Sequence, residues 1–461
     1  MPKSPRRMKI GINMVQNGAH NSGWRHPDAN AGIANDFKGY ARIIQKAEAQ
    51  KLDFMFLADG AAVRIPHKDA EELSRHGHID RFEPLTLLAA MSAVTEHIGL
   101  ICTASTTYNE PYALARKFAS LDHISDGRAG WNVVTGWSEE EALNFSRDAL
   151  MEHSERYERA NEFFDVVTGL WNSWDDDAFV RDKEEGRYFR PESMHLLNHK
   201  GPHYQVRGPL NLERSPQGYP VIAQAGGSGP GRDLGARIAD IIYTGQKDKA
   251  IAQEFYADMK ARVAAAGRDP DGVMIMPGMM PIIGATEAEA QAKLDELKAL
   301  VHPAVGLQLI SKMFGDLSGY DPEALMPLPL PDSNGVKSAI EQWERRLAKT
   351  PMTIRQVYEE ISISSGHNVC CGTVEQIADV MQDWFETGAC DGWNLMAPYM
   401  PGGAEEYLDL LVPELRRRGL AQSEYSGDTL RARLGLESRP NPLSGKDGAG
   451  SVSDEPIAMS H

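Results

Sequence analysis

The sequence has 461 residues and a formal net charge of −17, with 42% apolar and 25% charged residues. This composition is that of a soluble globular protein with a large core, and the acidic balance argues against binding to nucleic acid or to a membrane surface. Four cysteines without metal-ligand spacing predict reduced thiols and no metal site: Cys102, Cys370, Cys371 and Cys390.

The chain opens with a predicted strand, Lys9–Val15, which a long polar loop follows. The stretch before the strand is basic but has no apolar signal core, so we expect a cytoplasmic protein. After a helix, the second predicted strand, Asp53–Ala58, ends next to Asp59, whose carboxylate is either a site group or a turn residue. The loop is either a lid over a site or a packed surface loop, and both interpretations stay open for His20, Trp24, Arg25 and His26.

A strand–helix–strand unit comes next. Ile98–Thr103 is apolar and β-rich, and Gly130–Val134 is a second short strand. Small hydroxyl residues, beginning with Thr103, stand at the end of the first strand, and Asn132 lies on the second. Alternation along the first strand directs Cys102 into the core, away from Thr103. Since parallel α/β folds build active sites at the carboxyl ends of strands, this unit predicts where the site lies.

Two further segments carry candidate ligand groups. A long helix within 149–174 places His153 and Tyr157 on one face, one turn apart. The predicted strand Pro220–Ala225 runs into the turn Gly226-Gly227-Ser228-Gly229 and then into a helix. Backbone N–H groups of such a turn can hold a phosphate, although a tight strand-to-helix turn also needs glycine for steric reasons.

The full set of predicted strands indicates the fold. Eight short apolar strands, mostly separated by helices, predict an α/β fold, a (β/α)8 TIM barrel with insertions, as a single domain over residues 1–440. Insertions are expected at about 175–207 and 286–366. The second should be helical, lie near the barrel mouth, contact substrate and order on binding, and its Pro/Leu-rich centre, PEALMPLPLPDSNG, is a poor core former. Residues 136–148 are expected to form a loop and 441–461 a disordered tail. The remaining predicted strands are Asp240–Thr244, Val273–Ile283 and Gly392–Met396.

Several long blocks, which together span about residues 8–436, resemble the bacterial-luciferase-like flavin monooxygenases. The resemblance is strongest to the subgroup of nitrilotriacetate, EDTA and dibenzothiophene-sulfone monooxygenases. In this subgroup a serine is expected after the sequence VVT, whereas this chain has Gly136 and Trp137 there. A GW pair at this position is similar to that of the related pyrimidine-ring-opening oxygenases. The matching blocks lie at 24–27 (WRHP), 103–135, 153–174, 206–228, and in GWNLMAPYMPGG and VPELRRRGL near the C-terminus.

The resemblance implies a barrel that binds FMN at the carboxyl ends of its strands. The flavin would arrive reduced, as FMNH2, from a separate NAD(P)H:flavin reductase, and one atom of O2 would be inserted into a small organic substrate. Oxygenation next to nitrogen or sulfur would cleave a C–N or C–S bond. We also expect a homo-oligomer, either a dimer or a tetramer.

The same resemblance assigns roles to residues at strand ends, on the helix face and in the glycine-rich turn. The turn and the helix face would hold the phosphate. Thr103 and Asn132 would also be catalytic, because the resemblance places them where oxygen meets the flavin, near N5. The cofactor contacts implied in this way are Asp59, Thr103, Asn132, His153, Tyr157, Gly227 and Ser228.

Other functions stay open at this point. They are a flavin-dependent lyase or oxidative degradation of another heterocycle, a deazaflavin-dependent dehydrogenase on the same barrel, and a non-catalytic flavin-binding protein. The chain has no Gly-x-Ser-x-Gly, HExxH or Walker motif, which suits an enzyme whose cofactor carries the chemistry. An anionic substrate would require cations at the mouth, for which Arg25, Arg64 and Lys68 are candidates, although such charges are equally common on solvated surfaces.

Overall fold

Eight parallel strands close into a barrel in the computed structural model, which describes residues 6–63, 70–317, 319–331, 337–363 and 366–445. Each barrel strand is a short run of mainly apolar residues, as expected for strands that are covered on both faces. The strands of the described residues are, in chain order, β1 (Lys9–Asn13), β2 (Phe54–Leu57), β3 (Gly99–Ser105), β4 (Ala129–Val134), β5 (His199–Lys200), β6 (Gln205–Val206), β7 (Val221–Gln224), β8 (Ile241–Thr244), β9 (Met274–Ile283), β10 (Asn368–Gly372) and β11 (Gly392–Met396).

The barrel follows the order β1, β2, β3, β4, β7, β8, β9 and β11, and β11 returns to β1. All these pairings are parallel. The closure between β8 and β9 aligns Ile241 with Met274, and that between β11 and β1 aligns Met396 with Asn13. The prediction of a (β/α)8 barrel with insertions is therefore confirmed.

Strand β10 is a further strand that the sequence analysis missed. It pairs in parallel with the distal half of β9, where Asn368 lies opposite Met279. Only Val369, Cys370 and Cys371 are apolar between an asparagine and a glycine, a run too short for its periodicity to indicate a strand. The short antiparallel pair β5–β6 lies inside the predicted insertion at 175–207.

Helices surround the barrel. One of them, α5 (Glu139–Asn144), lies where the sequence predicted a loop over 136–148, and that prediction is wrong. Ser138 caps the first turn of α5 by accepting from Glu141 N–H, and three glutamates favour its N-terminal end. The α-helices of the described residues are α1 (Phe37–Ala49), α2 (Ala70–Leu73), α3 (Pro84–Ser92), α4 (Pro111–Ile124), α5 (Glu139–Asn144), α6 (His153–Trp171), α7 (Gly229–Ile238), α8 (Lys249–Ala265), α9 (Glu287–Ala299), α10 (Pro303–Phe314), α11 (Lys337–Lys349), α12 (Ile354–Ser362), α13 (Val374–Glu386), α14 (Gly402–Asp409), α15 (Leu411–Arg417) and α16 (Leu430–Leu434).

The amino end of the barrel is closed by α16. Leu430 and Leu434 join the inward-facing side chains of the strands in one buried cluster. Leu430 lies so close to the start of β3 that a side chain at Gly99 would place its Cβ 2.5 Å from Leu430 Cδ1. In the part of the chain that the structure describes, this plug leaves the carboxyl ends of the strands as the place where a ligand can enter the barrel.

The outer core lies between the strands and the helices. It contains Cys102, which is fully buried, as predicted from strand alternation. The segment 286–366 has a core of its own, in which Phe314, Leu347 and Tyr358 are buried. The Pro/Leu-rich centre, expected to be a poor core former, contributes Met326 and Leu330 to this core, so the expectation is wrong for these two residues. They become buried only when the helices of the segment pack around them.

The C-terminal stretch is partly anchored. Asn441, assigned to the disordered tail from sequence, is buried and donates to the carbonyls of Asn172 and Trp174. Ser444 donates to Asp175 at 2.6 Å. The rest of the predicted tail, 446–461, lies outside the described residues. None of the helices in the described part of the chain is long and apolar enough to span a bilayer.

Candidate active site

Thr103 and Asn132 are neighbours on β3 and β4, in direct register. Both are buried, and Thr103 shares its strand face with Ile101, which points into the barrel. Asn132 Nδ2 donates to Thr103 Oγ1 at 2.8 Å, whereas Asn132 Oδ1 is buried without a hydrogen-bond partner among the described residues. Since buried polar atoms are nearly always paired, this oxygen is suited to accept a hydrogen bond from a bound ligand.

A second group lies at the start of α7. Ser228 Oγ accepts from Gly231 N–H at 3.2 Å and lies 3.5 Å from His153 Nε2. The rings of His153 and Tyr157 are 4.9 Å apart on α6. Both Ser228 and Gly227 are exposed, and nothing lies within 4 Å of a Cβ built on Gly227. The structure thus brings together the four residues expected to hold a phosphate, in an open cradle at a helix N-terminus.

Asp59 stands apart from these two groups. It follows β2, and its carboxylate lies 3.9 Å from the guanidinium of Arg81. Burial raises the pKa of Asp59, and Arg81 opposes that shift only in part. Glu141 of α5 acts on Asp59 electrostatically and accepts from Ala61 N–H at 2.9 Å, so the loop after β2 is fixed against α5.

The long loop after β1 is packed rather than extended. His20 is 1% exposed, and burial lowers its pKa to about 4. His26 stacks on Tyr399 with ring centroids 3.7 Å apart, and Trp24 lies against Gly77. These contacts favour the packed-loop interpretation. Of the three cations considered for an anionic substrate, Arg25 donates to the carbonyl of Leu300, while Arg64 and Lys68 lie outside the described residues.

Three polar residues of the barrel mouth were missed from the sequence. Tyr243, at the end of β8, has its hydroxyl 3.3 Å from Asn13 Nδ2 and 3.3 Å from His367 Nε2. Asn13 and Tyr243 could have been found by the rule that identified Thr103, because both lie at carboxyl ends of strands. His367 could not, since it precedes β10, which was not recognised.

The residues present suit a flavin nucleotide. The cradle of Ser228 and Gly227 offers a hydroxyl and exposed backbone to a phosphate, and Asn132 Oδ1 offers a buried acceptor to a ring N–H. The two features lie at the same open end of the barrel, because β3, β4 and β7 are consecutive in the sheet and parallel.

Comparison with known proteins identifies the family. The family described as luciferase-like monooxygenase matches residues 14–391. The chain is 47% identical to N-acetyl-S-(2-succino)cysteine monooxygenase of Bacillus subtilis (strain 168), over 96% of this chain and 99% of the relative. It is 45% identical to nitrilotriacetate monooxygenase component A of Aminobacter aminovorans, over 95% and 98% of the two chains.

Among solved structures, a riboflavin lyase with modified FMN and its substrate riboflavin superposes with a TM-score of 0.82 at 32% identity, covering 94% of this chain and 97% of the other. The chain belongs to the luciferase-like monooxygenase family. It is an enzyme of the monooxygenase class, in the group whose members act on small molecules.

Proposed function

We propose that this protein is the oxygenase component of a two-component, FMNH2-dependent monooxygenase. The observation that carries the proposal is the pair of ligand features at one barrel mouth: the Ser228 cradle for a phosphate and the unpartnered Asn132 Oδ1 for a ring N–H. When bound, reduced FMN would supply the electrons and activate O2. This chain would orient the flavin and exclude water from the reacting atoms.

The expected residue roles follow from these contacts. Gly227 and Ser228 would bind the phosphate, with His153 and Tyr157 beside them. Thr103 would hold the Asn132 amide in place through their 2.8 Å hydrogen bond, which directs Oδ1 to the ring. Asp59 would contact the isoalloxazine from the loop after β2.

The bond expected to break is a C–N or C–S bond. Insertion of oxygen into a C–H bond next to nitrogen or sulfur gives a carbon that carries both a hydroxyl and the heteroatom. This carbon collapses to a carbonyl and releases the amine or thiol. The proposal is supported by two relatives, whose names specify nitrilotriacetate and N-acetyl-S-(2-succino)cysteine, because each of these compounds contains such a carbon.

A separate NAD(P)H:flavin reductase would supply the reduced flavin. The designation "component A" of the nitrilotriacetate relative supports a partner protein. The chain itself shows no GxGxxG motif after its first strand, as a Rossmann-type nicotinamide site would.

The test is an anaerobic titration of the purified protein with oxidised FMN, reduced FMN and a reduced deazaflavin. We expect binding of FMN, tighter in its reduced form, and weak binding of the deazaflavin. Undetectable binding of both FMN forms would refute the proposal. Preferred binding of the deazaflavin would favour a dehydrogenase, and tight FMN binding without substrate oxygenation in the presence of a reductase would favour a flavin-binding protein.

A further inference from the structure

A polar cluster lies at the barrel mouth on the last strands of the barrel. Tyr243 extends from β8 across the interior and stacks on Phe56 of β2, with ring centroids 5.4 Å apart. Its hydroxyl lies 3.3 Å from Asn13 Nδ2, and 3.4 and 3.3 Å from the two ring nitrogens of His367. Asn13 donates to this oxygen through Nδ2, so the tyrosine proton is available to His367, to Met396 Sδ at 3.5 Å or to a ligand.

The space around this cluster depends on a glycine. A Cβ at Gly278 of β9 would lie 2.6 Å from His367 Nδ1, 2.7 Å from the Tyr243 hydroxyl and 3.0 Å from Met396 Sδ. Any larger residue at this position would displace both polar groups. The apolar side chains of Phe56 and Met396 border them, so the cluster combines hydrogen-bond donors with an apolar wall.

Lys247 brings a cation to the same place. It lies on the loop after β8, where a Cβ at Gly245 would be 3.2 Å from the carbonyl oxygen of Gly366 and 3.6 Å from the ring of His367. Burial lowers the pKa of His367 to about 4, and the charge of Lys247 contributes to this shift, which keeps the imidazole neutral. The backbone of the loop that carries Lys247 thus lies beside the ring of His367.

The ammonium of Lys247 forms no ion pair with the residues that the structure describes. It is solvent-exposed, yet enough protein surrounds it for desolvation to lower its pKa, and Glu360 opposes this shift only through space. Within the described ranges, Lys247 makes no hydrogen bond or ion pair. Other cations of the mouth are engaged: Arg81 with Asp59, and Arg25 with the carbonyl of Leu300. A partly desolvated cation without a partner is stabilised by a bound anion.

We propose that Lys247, His367 and Tyr243 form a subsite that binds a carboxylate group of the substrate, an inference that rests on the monooxygenase function proposed above. The three groups offer an ammonium, an imidazole N–H and a phenol O–H, which are donors suited to the two oxygens of a carboxylate. Phe56 and Met396 would take the adjoining carbon skeleton. Because the net charge of the chain is −17, a local cation would offset part of the repulsion that an anion meets.

The experiment measures binding without turnover. Isothermal titration calorimetry with nitrilotriacetate, succinate and N-acetyl-S-(2-succino)cysteine is carried out on the flavin-free and the FMN-saturated protein, in metal-free buffer. The neutral triamide of nitrilotriacetate serves as the probe without charge. Saturating FMN prevents the carboxylates from occupying the phosphate cradle.

The variants separate charge at this position from charge elsewhere. Lys247→Gln should weaken binding of at least one carboxylate by roughly tenfold or more, as expected for loss of a charge-assisted hydrogen bond. Lys247→Arg should retain it, and His367→Asn should weaken it several-fold. Lys249→Gln is the matched control: that lysine lies two residues away and is paired with Asp383 at 2.7 Å, so binding should not change.

Three outcomes would overturn the subsite: equal affinity of wild type and Lys247→Gln, equal affinity for nitrilotriacetate and its triamide, or no binding of any carboxylate to the wild type. FMN titration of the same samples keeps the two proposals apart. Normal FMN binding with any of these outcomes refutes only the subsite. Carboxylate binding by the flavin-free protein without FMN affinity refutes only the flavin function.

Discussion

At the residue scale, the site is defined by what its side chains leave unsatisfied. Asn132 makes one strong hydrogen bond, to Thr103, and leaves Oδ1 buried without a partner among the described residues. A ligand N–H would remove this cost, which is about 1–3 kcal/mol for a buried polar group. The sequence predicted the position of Asn132 from its strand, but the free oxygen became visible only when the neighbouring strand was in place.

Changing Asn132 should separate turnover from affinity. Asn132→Ala removes the acceptor, and we expect turnover of reduced, FMN-saturated enzyme to fall more than FMN affinity, because ring contacts matter most when the flavin reacts with oxygen. A single-turnover oxidation of pre-reduced enzyme with substrate measures this. A normal rate of product formation at saturating flavin would show that Asn132 only binds. Thr103→Val, which removes the hydroxyl that holds the amide, should shift the rate in the same direction by less.

Ser228 has two roles that a pair of variants can distinguish. Its oxygen caps α7 by accepting from Gly231 N–H, while its proton remains available to a phosphate. Ser228→Ala loses the helix cap, worth about 1 kcal/mol, and also the hydroxyl that donates to the phosphate. Ser228→Gly loses the same hydroxyl but keeps most of the capping preference.

Both variants should weaken FMN binding by roughly tenfold or more, which is the effect of losing a hydrogen bond to a charged group. Only Ser228→Ala should lower the melting temperature of the flavin-free protein. Unchanged FMN affinity in both would place the phosphate elsewhere, with His153 and Tyr157 the next residues to change.

At the element scale, the strands could be predicted because burial on both faces makes each one a short apolar run between turns. β11 spans Gly392–Met396, as predicted, and β8 differs from its prediction only in omitting Asp240. The local sequence pattern did not predict elements whose structure depends on residues far away in the sequence. Strand β10 exists because it pairs with the distal half of β9, and His367 enters the site only through that pairing.

The insertion 286–366 shows the same dependence on packing. Its apolar positions looked insufficient for a core, yet α10 and α12 pack so closely that a Cβ at Gly306 would lie 2.3 Å from the ring of Tyr358. We therefore expect the insertion to move as one packed unit when it covers the barrel mouth. Its ordering on substrate binding stays a prediction, which hydrogen exchange with and without ligand would test.

Gly306→Ala should loosen the insertion and spare the barrel. The added methyl must separate α10 from α12, at a cost of about 1–3 kcal/mol for an overpacked contact. We expect faster hydrogen exchange and earlier proteolysis within 286–366, with unchanged FMN affinity. Gly319→Ala is the control, because a Cβ there meets nothing within 4 Å. Equal protection of both variants would show that the contact is not needed.

At the scale of the whole molecule, the barrel is closed at one end and open at the other. The plugged amino end, formed by α16, confines ligands to the mouth, where the Ser228 cradle and the Lys247 cluster lie. The family resemblance, the barrel and the monooxygenase class could all be predicted from the sequence, since long blocks carry them. The homo-oligomeric state and the cytoplasmic location stay predictions.

A buried ion-pair network fastens the plug to the barrel. Arg431 of α16 lies 2.8 Å from Asp240, which is 1% exposed and immediately precedes β8. Arg439 lies 3.1 Å from the same carboxylate, and Ile222 N–H donates to it at 2.9 Å. Burial alone would raise the pKa of Asp240, but the arginines and the hydrogen bond outweigh it and lower the pKa.

Replacing Arg431 should therefore destabilise the protein in a pH-dependent way. In the wild type, the lowered pKa of Asp240 stabilises the fold above the unfolded pKa of about 3.9, and this contribution is lost only as the pH falls through the folded pKa. Arg431→Met removes the largest of the effects that lower the pKa of Asp240, so this pKa should rise although Arg439 and Arg268 remain nearby, and the charged carboxylate should destabilise the fold by about 3 kcal/mol at pH 7. Protonation relieves this cost as the pH falls, and the difference in unfolding free energy between variant and wild type should be smaller at pH 5 than at pH 7. Urea unfolding at both pH values measures this difference.

Arg433→Met is the control. The guanidinium of Arg433 donates to the backbone carbonyls of Gly427 and His97, so the effect of this substitution on stability should not change with pH. An equal difference at both pH values for Arg431→Met would mean that Asp240 stays charged without its partner.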